Sequence, residues 1–208
     1  MVRRSLQILV ALVLAIVAIG CSSTKLVNQW ENPQYVPARF TRILVIGVSR
    51  QTSVRRAFED EFVARLKAEG VDAVASYLFI PEDGQVDDTR LRQAVRQASA
   101  DSVLMTRLLR VERKTELTPG YYEPGPALGF YPWYSAAWLG YYEPPRVYQY
   151  DVYISETSLY DVRRSQLVWS GTVQTRAPSD LNKEIQRYAE TVVKALKKEN
   201  VLAYNAER

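Results

Sequence analysis

Residues 42–48, Arg-Ile-Leu-Val-Ile-Gly-Val, form a nearly continuous apolar, β-branched run. A strand that is apolar on both faces belongs in the middle of a sheet and needs cover on each side. The chain after it supplies that cover. Val54, Phe58, Phe62 and Leu66, with Ala57 beside them, recur at helical spacing, and Gly70 marks the stop. Residues 71–79 read as a second strand. Pro81-Glu82-Asp83-Gly84 is turn chemistry. Asp87 or Asp88 then caps a second helix with Leu91, Ala94, Val95 and Ala98 on its apolar face. Residues 101–109 start a third strand, which continues through Val111 toward Lys114. Strand, helix, strand, helix, strand at this spacing implies right-handed crossovers and parallel pairing.

The second half changes pattern. Residues 147–159 alternate, with Tyr148, Tyr150, Val152 and Ile154 on one face and Gln149, Asp151 and Tyr153 on the other. A turn at 161–166 and a strand over 167–175 complete a hairpin. The groups Tyr150/Val152/Ile154 and Trp169/Val173 are expected in the core. Pro178-Ser179-Asp180 opens a last helix, with Leu181, Ile185, Tyr188, Val192 and Leu196 along one face and Lys194, Lys197 and Lys198 toward its C-terminal end. The fold class is α/β (α+β): a mixed sheet of about five strands in the order βαβαβ-β-β-α, flanked by helices. One domain covers residues 41–202, followed by a short tail over 203–208.

Residues 116–146 interrupt this pattern as an aromatic, Pro/Gly-rich flap. Gly120-Tyr121-Tyr122-Glu123-Pro124 recurs as Gly140-Tyr141-Tyr142-Glu143-Pro144, and Phe130, Tyr131, Trp133, Tyr134 and Trp138 lie between. Long irregular loops in compact domains are functional or disordered, and disordered segments are poor in aromatics. Tyr and Trp offer contact area with a polar tip. The flap therefore suits a protein partner or a second copy of the chain, a bilayer surface, or the sugar rings of a glycan such as peptidoglycan. A self-packed hairpin extension, its two Gly-Tyr-Tyr-Glu-Pro ends facing each other across the base, is the structural alternative. The partner-contact residues are Tyr121, Tyr122, Phe130, Tyr131, Trp133, Tyr134, Trp138, Tyr141 and Tyr142.

The N-terminus is an address. Arg3 and Arg4 precede an apolar run over residues 8–19, too short to span a bilayer, and Gly20-Cys21-Ser22 follows. Ala18-Ile19-Gly20-Cys21 resembles the lipobox of bacterial lipoproteins. The resemblance implies cleavage after residue 20, acylation of Cys21 with diacylglycerol and an N-acyl chain, and a membrane anchor. Ser22 after the cysteine implies the periplasmic face of the outer membrane. Residues 21–40 read as a lipidated tether able to reach about 60 Å, with Trp30 and Tyr35 partly docked on the domain. Removal of residues 1–20 takes two arginines from 27 basic residues and leaves 23 acidic ones, a net charge of +2. That balance gives no reason to expect nucleic acid. Cys21 is the only cysteine, so no disulfide forms within the chain.

The chain contains no histidine. Imidazole general bases, Ser-His-Asp triads and His-ligated zinc are excluded. Arg50, Arg55 and Arg56 stand near the start of the first helix, but Arg55–Glu59 and Arg56–Asp60 are four apart and read as helix-face ion pairs. Glu59, Asp60 and Glu61 fall on different helix faces, and Glu123 and Glu143 sit in the flap, a poor setting for paired-acid hydrolysis. No cofactor, no metal and no enzymatic activity are expected.

Residues 155–161, Ser-Glu-Thr-Ser-Leu-Tyr-Asp, and 167–171, Leu-Val-Trp-Ser-Gly, resemble a segment of uncharacterised bacterial lipoproteins of the DUF4136-like kind. In element order the chain is distantly similar to the small α/β domain of the TolB amino-terminal region, the curli secretion lipoprotein CsgG and the penicillin-binding-protein activator lipoproteins. These resemblances imply protein–protein work in the envelope. The expected function is a lipid-anchored, non-catalytic scaffold or interaction module. A glycan-binding module using the same aromatics is the alternative.

Overall fold

A computed structural model describes residues 24–36, 40–81, 85–122, 134, 142–176 and 180–202. Strand β2 (Ile43–Val48) is central, as its composition requires. It leads into helix α1 (Thr52–Ala68), then β3 (Ala73–Ala75), helix α2 (Asp88–Gln97) and β4 (Ser102–Thr118). Strand β7 (Arg146–Asp161), strand β8 (Gln166–Arg176) and helix α3 (Leu181–Lys198) follow. An N-terminal strand, β1 (Thr24–Glu31), closes the far edge. The six strands run in the order β1-β8-β7-β4-β2-β3. β2 is parallel to β3 and to β4, and the rest of the sheet is antiparallel. The fold is mixed α/β, as expected.

Side chains of β2 divide the interior. Ile43 and Val45 join Phe62 and Leu66 of α1 and Tyr188, Val192 and Leu196 of α3 in the larger core. Leu44 points the other way, to Val95 and Ala98 of α2. Helix α1 ends where Gly70 takes φ of 76°, letting the Val71 amide donate to the Leu66 carbonyl. Asp87 caps α2 by accepting from the Arg90 amide, and Asp180 caps α3 by accepting from the amides of Asn182 and Lys183. Trp169 is fully buried, its indole lying across Gly171. A Cβ at Gly171 would stand 2.2 Å from the ring, so this position accepts only glycine without a shift.

Four expectations change. The tether over 21–40 is not free along its length, because Thr24–Glu31 pairs with β8 as a sixth strand. Its register shifts between Leu26 and Asn28, which breaks the alternation that would have announced a strand. The strand expected over 71–79 shrinks to three residues and turns into a 3₁₀ segment at Ser76–Leu78. There Ser76 Oγ and the Tyr77 amide donate to Glu59, which pulls the chain off the ladder. Arg55–Glu59 is not a solvated helix-face pair but a buried one. Leu181 is 53% exposed and lies outside the core face of α3.

Candidate interaction surface

β4 and β7 are far longer than their neighbours, and this mismatch builds the surface. They pair from Ser102–Asp161 to Thr118–Arg146. β2 stops opposite Arg107, and β8 stops opposite Val152. Among the described residues, positions 113–118 and 146–151 therefore form a two-stranded ribbon beyond the sheet, about 20 Å long at 3.3 Å per residue. Leu117 and Val147 face each other near its end, 64% and 63% exposed. Leu108, Val111 and Tyr148 are also exposed.

Charges hold the ribbon straight. Arg113 Nε donates to Asp151 across the strands at 3.0 Å. Glu112 accepts from Arg110 at 2.6 Å and lies 2.8 Å from Lys114. Those two cations, Lys114 foremost, keep its carboxyl below the usual range. At the ribbon base the Arg176 guanidinium lies 3.9 Å above the Tyr150 ring and pairs with Glu116. Val152 and Ile154 are buried and Tyr150 is half-buried, as expected, but Tyr148 is open to solvent. Their face is the one opposite Trp169 and Val173, because Ile154 pairs with Gln174 while Ser155 pairs with Val173.

Beyond Thr118 the ribbon continues as β5 (Tyr121–Tyr122) paired with β6 (Tyr142–Glu143). Tyr121 stands opposite Glu143, and Tyr122 opposite Tyr142. Tyr121 and Tyr122 of the first Gly-Tyr-Tyr-Glu-Pro copy thus meet Tyr142 and Glu143 of the second across the base of the flap, the pairing that the hairpin alternative called for. Tyr134 is 53% exposed. Phe130, Tyr131, Trp133, Trp138, Tyr141 and Cys21, the expected lipid-attachment residue, lie outside the described residues.

A second concavity lies at the carboxyl end of β2. About 420 Å³ is enclosed by Ile46, Val48, Ile80, Val86, Leu91 and Met105, with Arg50 and Arg55 on its wall. Arg55 is 2% exposed and Glu59 is fully buried. Glu59 Oε1 accepts from Arg55 Nε at 3.0 Å, from Ser76 Oγ at 2.7 Å and from the Gly47 amide at 2.9 Å. Its Oε2 accepts from the Tyr77 amide, and Arg55 also donates to Ser76 Oγ and the Pro81 carbonyl. Every polar arm of the pair is used to tie α1, β2 and the 3₁₀ segment together. Arg56 instead lies 5.2 Å over the Tyr77 ring, Asp60 accepts from the Tyr77 hydroxyl, and Glu61 accepts from Arg65. The three adjacent acids fall on separate faces and share no substrate-sized space. Among the described residues, no cluster of three or more metal-ligating side chains forms.

No protein-family model matches the chain, which leaves the DUF4136-like resemblance without that support. No curated protein matches it either. Similar solved structures include the PelC dodecamer from Paraburkholderia phytofirmans, 16% identical over 81% of this chain and 94% of that one, with a TM-score of 0.44. Lipoprotein GNA1162 from Neisseria meningitidis is 11% identical over 76% of this chain and 99% of the other, with a TM-score of 0.41. A PDZ domain protein from Parabacteroides distasonis is 7% identical over 88% and 38%, with a TM-score of 0.39.

Proposed function

We propose that this chain is a non-catalytic interaction module of the bacterial cell envelope, anchored through acylated Cys21 to the periplasmic face of the outer membrane. The projecting β4–β7 ribbon carries the reading. Among the described residues, positions 113–118 and 146–151 form an arm that adds little to the core and leaves apolar side chains in water. Arms of this kind gain from burial against a partner at about 25 cal/mol per Å² of apolar surface. Among the described residues no helix is long and apolar enough to cross a membrane. The buried carboxylate Glu59 serves the fold, which fits a non-enzymatic role.

Two experiments test this. Labelled palmitate should enter the wild-type chain and be lost in Cys21→Ala. A photo-crosslinker at Leu117 or Tyr134 in intact cells should capture an envelope protein, and the same group at Lys194, on the outside of α3, should not. Equal capture at the three positions would remove the ribbon from the proposal.

A further inference from the structure

The outer edge of β4 pairs with nothing beyond Arg107 among the described residues, although the strand runs on to Thr118. An unpaired edge of this length is a template for another strand, and proteins usually blunt it with charges, proline or a bulge. This edge has a bulge at Leu109, where its register against β7 shifts, and is regular from Arg110 onward. Over that regular stretch Arg110, Glu112, Lys114 and Glu116 alternate in sign on one face, and Val111, Arg113, Thr115 and Leu117 follow each other on the other.

We propose that this edge pairs antiparallel with the same edge of a second copy, about a two-fold axis through Arg113. In such a pair, residues whose numbers sum to a constant stand directly opposite. Centred on Arg113, Arg110 meets Glu116 of the other copy and Glu112 meets Lys114, so the two-fold yields four attractive contacts. Val111 meets Thr115 on the opposite face, covering a side chain that is 47% exposed in the single chain. Arg113 meets its own copy, but each already carries Asp151 at 3.0 Å. Neighbouring registers fail. Centred on Glu112, the pairing sets Arg110 against Lys114 and Glu112 against itself. Centred on Lys114, it sets Glu112 against Glu116 and Lys114 against itself. Opposed like charges on adjacent strands are destabilising, so the charge order rejects the registers on either side, and those centred on Val111 or Thr115 keep only two of the four attractive contacts. The partner is a second copy because the sequence complements itself under sign reversal, a property that no arbitrary partner would need.

The inference extends the interaction-module reading to a second surface, the strand edge, and its test does not depend on the tip. In full-length protein in membranes, a cysteine at Arg113 lies on the axis, where opposed Cβ atoms are about 4.5–5.5 Å apart. Arg113→Cys should form a disulfide-linked dimer. Thr115→Cys alone should not, but mixed with Val111→Cys chains it should form the mixed dimer only. Adding Glu112→Lys and Glu116→Lys to Arg113→Cys should cut the crosslinked fraction at least tenfold. Adding Arg110→Glu and Lys114→Glu as well should restore it. These side chains are at the surface, and unchanged thermal melts will confirm folding. No crosslink at residue 113, or one indifferent to charge reversal, overturns the proposal. Excision of residues 123–141 should remove partner capture and leave the Arg113→Cys dimer intact.

Discussion

Glu59 is a charge taken wholly out of water, and its value to the protein depends on Arg55 and three further donors within 3.0 Å. Replacing a buried pair by matched apolar groups can be neutral, but removing one member strands the other. Glu59→Ala is therefore expected to destabilise the fold by about 3–5 kcal/mol, read from the midpoint of urea unfolding. Glu190→Ala, at an exposed pair with Lys194, should cost under about 1 kcal/mol. Similar losses for the two would contradict the buried network. Gly171 is a second test at this scale. Its missing side chain makes room for the Trp169 indole, whose Nε1 is buried without a partner. Gly171→Ala should cost about 1–3 kcal/mol through overpacking, and pairing it with Trp169→Leu should recover part of that loss, since the two share one volume.

Residues 32–36, a short strap after β1, are the segment most open to a chemical trigger. Tyr35 donates its hydroxyl to Asp161 at 2.9 Å, and burial together with that carboxylate pushes its pKa up to about 12. The folded chain thus holds the phenolic proton more tightly than the unfolded chain, whose tyrosine titrates near 10. The stabilisation is complete below pH 10 and is lost as pH rises through about 12. Tyr35→Phe should flatten the alkaline limb of a pH–stability curve, and an unchanged limb would mean the hydroxyl does not tie the strap. β1, just before it, was the element least legible in the sequence. β2, α1 and α2 declare themselves because each buries a regular set of side chains. β1 lies at an edge, carries a bulge and buries only alternate residues, so its composition resembles a linker. β3 reads as a long strand because nothing in residues 76–79 shows that Glu59 will draw them away. Arg55–Glu59 shows the same limit: a four-residue spacing is identical for a solvated pair and a buried one. At the surface site the legible part was the Gly-Tyr-Tyr-Glu-Pro repeat, of which Tyr121–Tyr122 and Tyr142–Glu143 do pair. The free edge of β4 was not legible, because it exists only where β2 stops short.

At the scale of the molecule, the core and the exposed ribbon occupy two parts of one sheet. Among the described residues, no member of either core cluster lies between residues 105 and 158. The ribbon is instead held by its ladder, by cross-strand ions and by Arg176 at its base. Two strands alone are marginal in water, so its far end should open locally without unfolding the domain. Amide exchange should therefore be slowest in β2 and in residues 102–106 of β4, and much faster over 113–118. A self-paired edge adds a second signature, since protection over 109–117 should then rise with protein concentration while that of β2 does not. Replacing residues 123–141 by a tight Asn-Gly turn should keep β5 and β6 in register and shift the thermal midpoint by no more than about 4 °C. The ends of the excised segment already meet at Tyr122 and Tyr142, so closure asks for no new geometry. A fall of tens of degrees would place the flap in the core, and the arm would then be part of what folds the protein instead of what it presents to others.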